Sequence, residues 1–281
     1  MPKEPNDKVL ATQHPETSGD ATRLKSRYQK KSFRNRYGNS GCTRQQLHTS
    51  KDFLLPIFAQ KFILTPVKFE IRNEEFWLSP GKMIWHPANK TLIIADLHFG
   101  KTGHFRKSGI PVPQNVFKQD LHQLFAGIQF YKPEKLLIVG DMFHSKANKE
   151  LDLFFKWRSD LSHLQIHLIK GNHDILNDQY YADTAIQTDT QFTSGQFSFI
   201  HDITDINADE NDEQFYFSGH IHPGVYISGG SRQSLHFPCF YFTKKYAVLP
   251  AFSAFSGHCM IRPKKGENVF AIVNNSIVRL Q

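Results

Sequence analysis

The pattern of hydrophobic and polar residues changes at about residue 64. Apolar and charged side chains alternate from residue 67 to residue 71, which predicts a strand, and a turn over 72–75 leads into a returning strand. Short apolar runs predict three buried strands, at 92–95, 136–139 and 166–169. Helical spacing between these runs predicts two helices, at 116–129 and 150–164. This alternation predicts an α/β domain with a largely parallel, buried sheet.

Beyond about residue 195 the helical spacing fades and short strand-like runs follow one another. These runs lie at 197–200, 215–218, 225–227, 235–242, 246–249, 269–273 and 277–280. The aromatic part of one run, 237–242, can be interpreted as core or as a surface that stacks unpaired bases, and its strand spacing favours core. The prediction is one domain over residues 64–281, with strand-rich ends.

Composition excludes several classes of protein. The chain has 281 residues, 40% of them hydrophobic, which excludes a disordered chain as a whole. No apolar run reaches the roughly 18 residues of a membrane-spanning helix, and no apolar stretch follows the N-terminus, so we expect neither an integral membrane protein nor a secretory signal. The three cysteines lack C-x-x-C spacing, which indicates a reducing compartment without disulfides or a cysteine-bound metal. We therefore expect a cytoplasmic protein.

The net charge is concentrated at the head of the chain. The first 50 residues contribute +6 to the formal charge of +8, and residues 23–37 combine basic side chains with aromatic ones. One interpretation is an arm that binds nucleic acid by releasing counterions from phosphates. The other is a solvated tail without a specific partner, and the low specificity of such compositions favours it. We predict that residues 1–60 form a disordered basic extension.

Polar side chains follow the ends of five predicted strands. They are Asp96 and His98, then Asp141, then Asn172, His173 and Asp174, then His201, and last His220 and His222. Ligands of open α/β sheets bind outside the carboxyl ends of the strands. We therefore expect these carboxylates, imidazoles and one amide to converge at one edge.

The spacing within this series favours a metal site. Asp96 and His98 are two residues apart, so on an extended chain both side chains point the same way, and the same holds for His220 and His222. Seven of the groups can surround two cations, and their chemistry suits Mn²⁺, Fe²⁺ or Zn²⁺. Asp141 is the candidate to bridge both cations, which need shared negative charge. The alternative is a set of hydrogen-bonded loop residues, which five linked motifs make improbable.

The order D-x-H, G-D, G-N-H-D, H, G-H-x-H over about 90–225 resembles the calcineurin-like metallophosphoesterase superfamily. The resemblance implies a sandwich of two facing mixed sheets flanked by helices, with a dinuclear metal site at the C-terminal ends of strands. It implies one metal ligand set of Asp96, His98, Asp141 and His222, and a second of Asp141, Asn172, His201 and His220. It also implies that His173 is the acid or the phosphate-contacting histidine, and that Asp174 orients it.

Finer features resemble DNA-processing members of that superfamily. The second motif, Gly140-Asp-Met-Phe-His144, lacks the arginine of the protein Ser/Thr phosphatases and is similar to double-strand-break repair nucleases. Residues 96–101, 105–113, 235–240 and 248–257 resemble the ligase-associated DNA damage response metallophosphoesterases (PdeM type). This resemblance spans about 67–280. It implies a DNA substrate, single-stranded or with free ends, and repair partners that include a DNA ligase and a helicase.

The resulting hypothesis is a DNA endo- or exonuclease that cleaves phosphodiesters with a hydroxide activated by two divalent cations, with Mn²⁺ as the first choice. His144 is interpreted either as a phosphate contact or as a hydrogen-bond partner of a metal ligand. Lys101 and Arg106 are candidates to neutralise phosphates, although a surface salt bridge explains Arg106 equally well. Two alternatives remain: hydrolysis of a small phosphodiester or nucleotide, and a nucleic-acid-binding protein with an inactive site. The complete ligand set argues against the second alternative.

Overall fold

Seven strands form the first sheet, and they are paired in the order in which they occur along the chain. The computed structural model describes residues 65–107, 109, 115–144, 149–206, 213–228 and 234–281, so the predicted extension over 1–60 lies outside it. The strands are β1 (Val67–Ile71), β2 (Glu74–Ser79), β3 (Met83–His86), β4 (Thr91–Ala95), β5 (Lys135–Val139), β6 (Gln165–Ile169) and β7 (Ile186–Asp189). Strands β1 to β4 pair antiparallel, and β4 to β7 pair parallel.

The described helices lie between or after the parallel strands. They are α1 (Lys101–Lys107), α2 (Asn115–Tyr131), α3 (Lys149–Asp160) and α4 (Asp178–Asp183). Helix α3 ends four residues before the predicted end at residue 164. There the guanidinium of Arg158 donates hydrogen bonds to the carbonyl groups of Leu161, Thr184 and Ala185. These bonds replace the helical pattern with a turn that is tied to the start of β7.

Nine strands form the second sheet, and it is also mixed. They are β8 (Gln191–Ser194), β9 (Phe197–Ile200), β10 (Phe215–Ser218), β11 (Pro223–Ser228), β12 (Ser234–Phe242), β13 (Tyr246–Val248), β14 (Cys259–Met260), β15 (Asn268–Val273) and β16 (Ser276–Arg279). Strand β10 lies between β9 and β13 and is parallel to both. Strands β11 and β12 form an antiparallel hairpin at the other side of the sheet.

The core has two main layers because strand residues alternate between the two faces of the first sheet. Leu92 and Ile94 of β4 pack with residues of α2 and α3, such as Leu124 and Phe154, on the outer face. Their neighbour Ile93 packs on the inner face, against the second sheet. The buried inner-face aromatics include Phe76, Phe197, Phe199, Phe217, Phe240 and Phe242. Two facing mixed sheets are therefore confirmed, and 237–242 is largely core.

Two expectations about composition can be compared with the described residues. None of the helices in the described part of the chain combines the length and the apolar character needed to span a bilayer. Cys239 is buried and Cys259 is exposed, and both are free thiols.

Candidate metal centre

Five of the predicted ligands have an unusual backbone conformation. The φ angles of Asp96, His98, Asp141, His220 and His222 are 54°, 50°, 45°, 66° and 48°. These angles lie in the left-handed region, so the premise of an extended chain through Asp96–His98 and His220–His222 is wrong. Left-handed conformations cost about 1–3 kcal/mol each for residues other than glycine and cluster at functional sites. Here sharp turns at these residues direct the side chains toward one another.

Backbone hydrogen bonds hold the first two turns together. The N–H of Asp96 donates to the carbonyl of Gly140 at 3.2 Å, and the N–H of His98 donates to that of Asp141 at 2.8 Å. The carbonyl of Asp96 accepts the N–H of Ser253, in a loop near the C-terminus, at 3.3 Å. The turns after β4 and β5 are thus fixed to each other, and Asp96 is fixed from a third side as well.

The first ligand group consists of Asp96, His98 and His222. The Nε2 atoms of the two imidazoles are 3.2 Å apart, and Nε2 of His222 is 3.7 Å from Oδ2 of Asp96. Two ligand atoms about 2.1 Å from one cation are separated by roughly 3.0–3.4 Å at angles of 90–110°. Burial, with the nearby positive charge of Lys101, lowers the pKa of His98 to about 2. His98 is therefore neutral, as a ligand must be.

The second ligand group lies next to the first and contains Asp141, Asn172, His201 and His220. Nε2 of His201 is 3.1 Å from Oδ1 of Asn172, 3.0 Å from Nδ1 of His220 and 3.5 Å from Oδ1 of Asp141. The first two separations also suit atoms that surround one divalent cation, and the third is slightly longer. Asp96 joins Asp141 and His201 in a further set of mutually close ligand atoms. The bridging role of Asp141 therefore stays a prediction, because Asp96 also lies between the groups.

Asp202 supports the second group, and sequence reasoning missed it. Its Oδ2 lies 3.4 Å from Nε2 of His220, the ring nitrogen on the far side from His201. Such a carboxylate fixes the orientation and tautomer of a ligating histidine. Partial burial opposes ionisation, but hydrogen bonds from Thr204 outweigh it and lower the pKa of Asp202. The signal available in the sequence was its position directly after His201, and one histidine followed by one aspartate is too short a pattern to indicate a role.

Three glycines, each directly before a candidate ligand, allow the ligands to approach the backbone. A Cβ built on Gly140 would lie 1.7 Å from Nδ1 of His201, and one on Gly171 would lie 2.2 Å from Oδ1 of Asp141. A Cβ on Gly219 would lie 2.5 Å from Oδ2 of Asp96. Each distance is far below van der Waals contact, so any side chain here would displace a candidate ligand.

Asp174 accepts hydrogen bonds from two loops of the site. It was expected to orient the ring of His173, but Oδ1 accepts the N–H of Phe143 and Oδ2 accepts the N–H of Gly171, both at 2.9 Å. Burial raises the pKa of Asp174 to about 7, against these hydrogen bonds. The carboxyl group therefore connects the loops after β5 and β6, and its role in orienting His173 stays a prediction.

The remaining candidates lie around the ligand groups. The side chain of His173 is 41% exposed, its N–H donates to Oδ1 of Asp141 at 2.9 Å, and its ring centroid is 4.4 Å from that of His144. Burial lowers the pKa of Lys101, whereas the charges of Asp141 and Asp96 raise it, which places the ammonium group near both carboxylates. Arg106 is half-buried five residues later in α1, about 140° around the helix from Lys101.

An α/β sandwich whose strand ends bring together two adjoining groups of aspartate, histidine and asparagine side chains is a metallophosphoesterase-like arrangement. Residues 90–203 match the family model described as calcineurin-like phosphoesterase, which confirms the resemblance to that family. The family implies divalent metal ions and hydrolysis of phosphoesters, and the donor set described above fits such ions.

The chain is similar to solved structures to different degrees. The chain is similar to the nuclease MPE of Pseudomonas putida at 25% identity and a TM-score of 0.65, covering 77% of this chain and 100% of the nuclease. A phosphoesterase of E. coli, Yfce, is 13% identical, with a TM-score of 0.36, over 68% of this chain and 97% of its own. A protein of unknown function from Aquifex aeolicus, AQ665, is 19% identical, with a TM-score of 0.33, over 47% of this chain and 78% of its own. No curated protein matches the chain significantly.

Proposed function

We propose that this metallophosphoesterase is a nuclease that hydrolyses phosphodiester bonds of DNA during DNA repair. The observation that carries the proposal is the similarity to the Pseudomonas putida nuclease over that protein's whole length. The sequence features similar to repair nucleases, in Gly140-Asp-Met-Phe-His144 and along 67–280, support the same substrate. The proposed cation is Mn²⁺, because carboxylate, imidazole and amide oxygen ligands suit it without thiolates.

When bound, two divalent cations supply Lewis acidity and lower the pKa of a water molecule. The residues of the chain then have separate tasks. Neutral His98 and its neighbours hold the cations, while Asp96 and Asp141 balance their charge. His173 is the most exposed imidazole beside Asp141, so it is placed to hold a proton at the leaving oxygen. Lys101, near both carboxylates, is placed to neutralise a phosphate oxygen that enters the site.

The repair context extends the proposal beyond the site. The substrate is proposed to be single-stranded DNA or DNA with free ends. A DNA ligase and a helicase are the proposed partners in the same pathway, on the basis of the resemblance alone. The basic residues 1–60 support neither the proposed substrate nor the proposed partners, because they lie outside the described residues and outside the family match.

The test is a substrate panel with Mn²⁺, Mg²⁺ or Zn²⁺. We expect Mn²⁺-stimulated cleavage of a labelled oligonucleotide, with loss of at least about 100-fold in Asp141→Ala, because Asp141 lies within the ligand set. Asp178→Ala is the matched control, since this aspartate is 82% exposed and pairs with Lys170. Cleavage of bis(p-nitrophenyl) phosphate without cleavage of any DNA or RNA would favour the small phosphodiester instead. Failure to bind any cation would contradict the enzyme class.

A further inference from the structure

The hairpin of β11 and β12 carries an exposed aromatic face. Strand β11 begins directly after the candidate ligand His222, and Tyr226 of β11 is paired with His236 of β12. Paired residues in adjacent strands have side chains on the same face of the sheet. The side chain of Tyr226 is 61% exposed, and His236 is exposed as well. The two rings therefore form a surface that is open to solvent.

This aromatic face continues to the metal centre. Gly224 lies on the same face as Tyr226, two residues closer to His222. A Cβ built on Gly224 would lie 2.8 Å from Cβ of His258, and the ring of His258 is 6.1 Å from that of His236. The residue after His258 donates its N–H to the carbonyl of His222 at 3.0 Å. His258 thus lies between the candidate ligand and the aromatic face.

The opposite face of the hairpin supplies the packing. Val225 is buried in a small apolar cluster on that face, and Ile227 packs against it. Ile227 is paired with Leu235, which is itself 62% exposed. Tyr226 lies outside that cluster and is about three residues, or roughly 10 Å of extended strand, from the start of β11 beside His222. Burial in the core therefore does not explain an aromatic ring at this position.

We propose that Tyr226, His236 and His258 form a platform on which single-stranded nucleic acid lies beside the scissile phosphate. The proposal rests on the proposed nuclease function and adds to it the residues that select an unpaired strand. A base can stack on the Tyr226 ring only when it is not enclosed in a duplex, and such stacking tolerates any base sequence. The imidazoles of His236 and His258 can donate hydrogen bonds to phosphate oxygens between Tyr226 and the metal centre.

The experiment compares three full-length variants on three substrates. The variants are Tyr226→Ala, Tyr226→Phe and Leu235→Ala, and the substrates are a single-stranded oligonucleotide, the matching duplex and bis(p-nitrophenyl) phosphate, all with Mn²⁺. For Tyr226→Ala we expect kcat/KM on the single strand to fall by about 5- to 100-fold, because one base loses its stacking partner. Tyr226→Phe keeps the ring, so it should stay within about twofold of the wild type. Leu235→Ala changes an equally exposed residue on the opposite face and should also match the wild type.

The three substrates separate the possible failures. Hydrolysis of bis(p-nitrophenyl) phosphate should be unchanged in all variants, since this diester is too small to reach Tyr226 from the metal centre. An equal loss on this diester in Tyr226→Ala would mean that the site itself is distorted, which overturns the platform. A wild-type rate of Tyr226→Ala on the single strand, or an equal loss on the duplex, would also overturn it. Absence of nucleic-acid cleavage by the wild type would instead overturn the proposed function.

Discussion

Replacing Gly171 by alanine tests how tightly the ligands are packed against the backbone. The new Cβ would lie 2.2 Å from Oδ1 of Asp141, 2.6 Å from the backbone nitrogen of Asp141 and 2.9 Å from Nε2 of His201. An ordinary contact needs about 3.4 Å, so the carboxylate must move by about 1 Å. The second clash, with the backbone nitrogen, is harder to relieve, because the hydrogen bond from the N–H of His98 to the carbonyl of Asp141 holds that turn.

A displacement of this size has two measurable consequences. Misplacement of a reacting or binding group by about 1 Å costs about 100-fold in rate, so hydrolysis of bis(p-nitrophenyl) phosphate by Gly171→Ala should fall by about that factor. Overpacking should also lower the free energy of unfolding by about 1–3 kcal/mol, measured in urea. Gly257→Ala is the control, because a Cβ at Gly257 meets no atom within 4 Å. If Gly171→Ala matches the wild type in rate, Mn²⁺ affinity and stability, the described packing is wrong.

Two further predictions concern the proton that His173 is proposed to hold and the buried charge of Lys82. His173→Ala should lower kcat by about 10²- to 10⁴-fold without changing the number of Mn²⁺ ions bound, whereas His163→Ala, at an exposed position, should change neither. Mass spectrometry and steady-state kinetics check this, and a lost cation would show that His173 is a ligand. Burial lowers the pKa of Lys82 to about 8, although the charge of Asp120 opposes this. The unfolded chain keeps this proton to about pH 10.4, so the folded state carries a penalty that is full below pH 8 and disappears as the pH rises. The stability of the wild type relative to Lys82→Met should therefore rise by about 1–3 kcal/mol from pH 8 to pH 10, and a flat difference in urea titrations would contradict the burial of this charge.

The sequence was sufficient to predict the strands of the first sheet that lead into candidate ligands. Strands β4, β5 and β6 are short, largely apolar runs, each followed directly by a polar residue or a glycine, and such runs have few other interpretations. Four strands escaped prediction: β3, β7, β8 and β14. Strands β7 and β8 are polar and partly exposed, so they lack the contrast on which pattern reasoning depends. Strands β3 and β14 have only four and two residues, too few to show an alternating pattern. Their place in the sheets follows from pairing with neighbours rather than from their own residues.

The details of the site depend on contacts between distant parts of the chain. The convergence of Asp96 with His98 was expected for the wrong reason, since left-handed turns replace the extended segment. These turns are set by hydrogen bonds to residues far away, such as the bond from Ser253 to Asp96. The same is true of the platform, where His258 reaches His236 only because β14 pairs with β11. Spacing along a sequence contains no information about such partners.

The ligand groups take their members from both layers of the sandwich. Asp96, Asp141 and Asn172 follow strands of the first sheet, whereas His201, His220 and His222 follow strands of the second. A cation held between them would crosslink the two sheets. Each bound ion would add to the free energy of unfolding, because the unfolded chain lacks the assembled site. The stability of the folded molecule therefore becomes a function of the free metal concentration, and scarcity of the cation would weaken the fold as well as the activity.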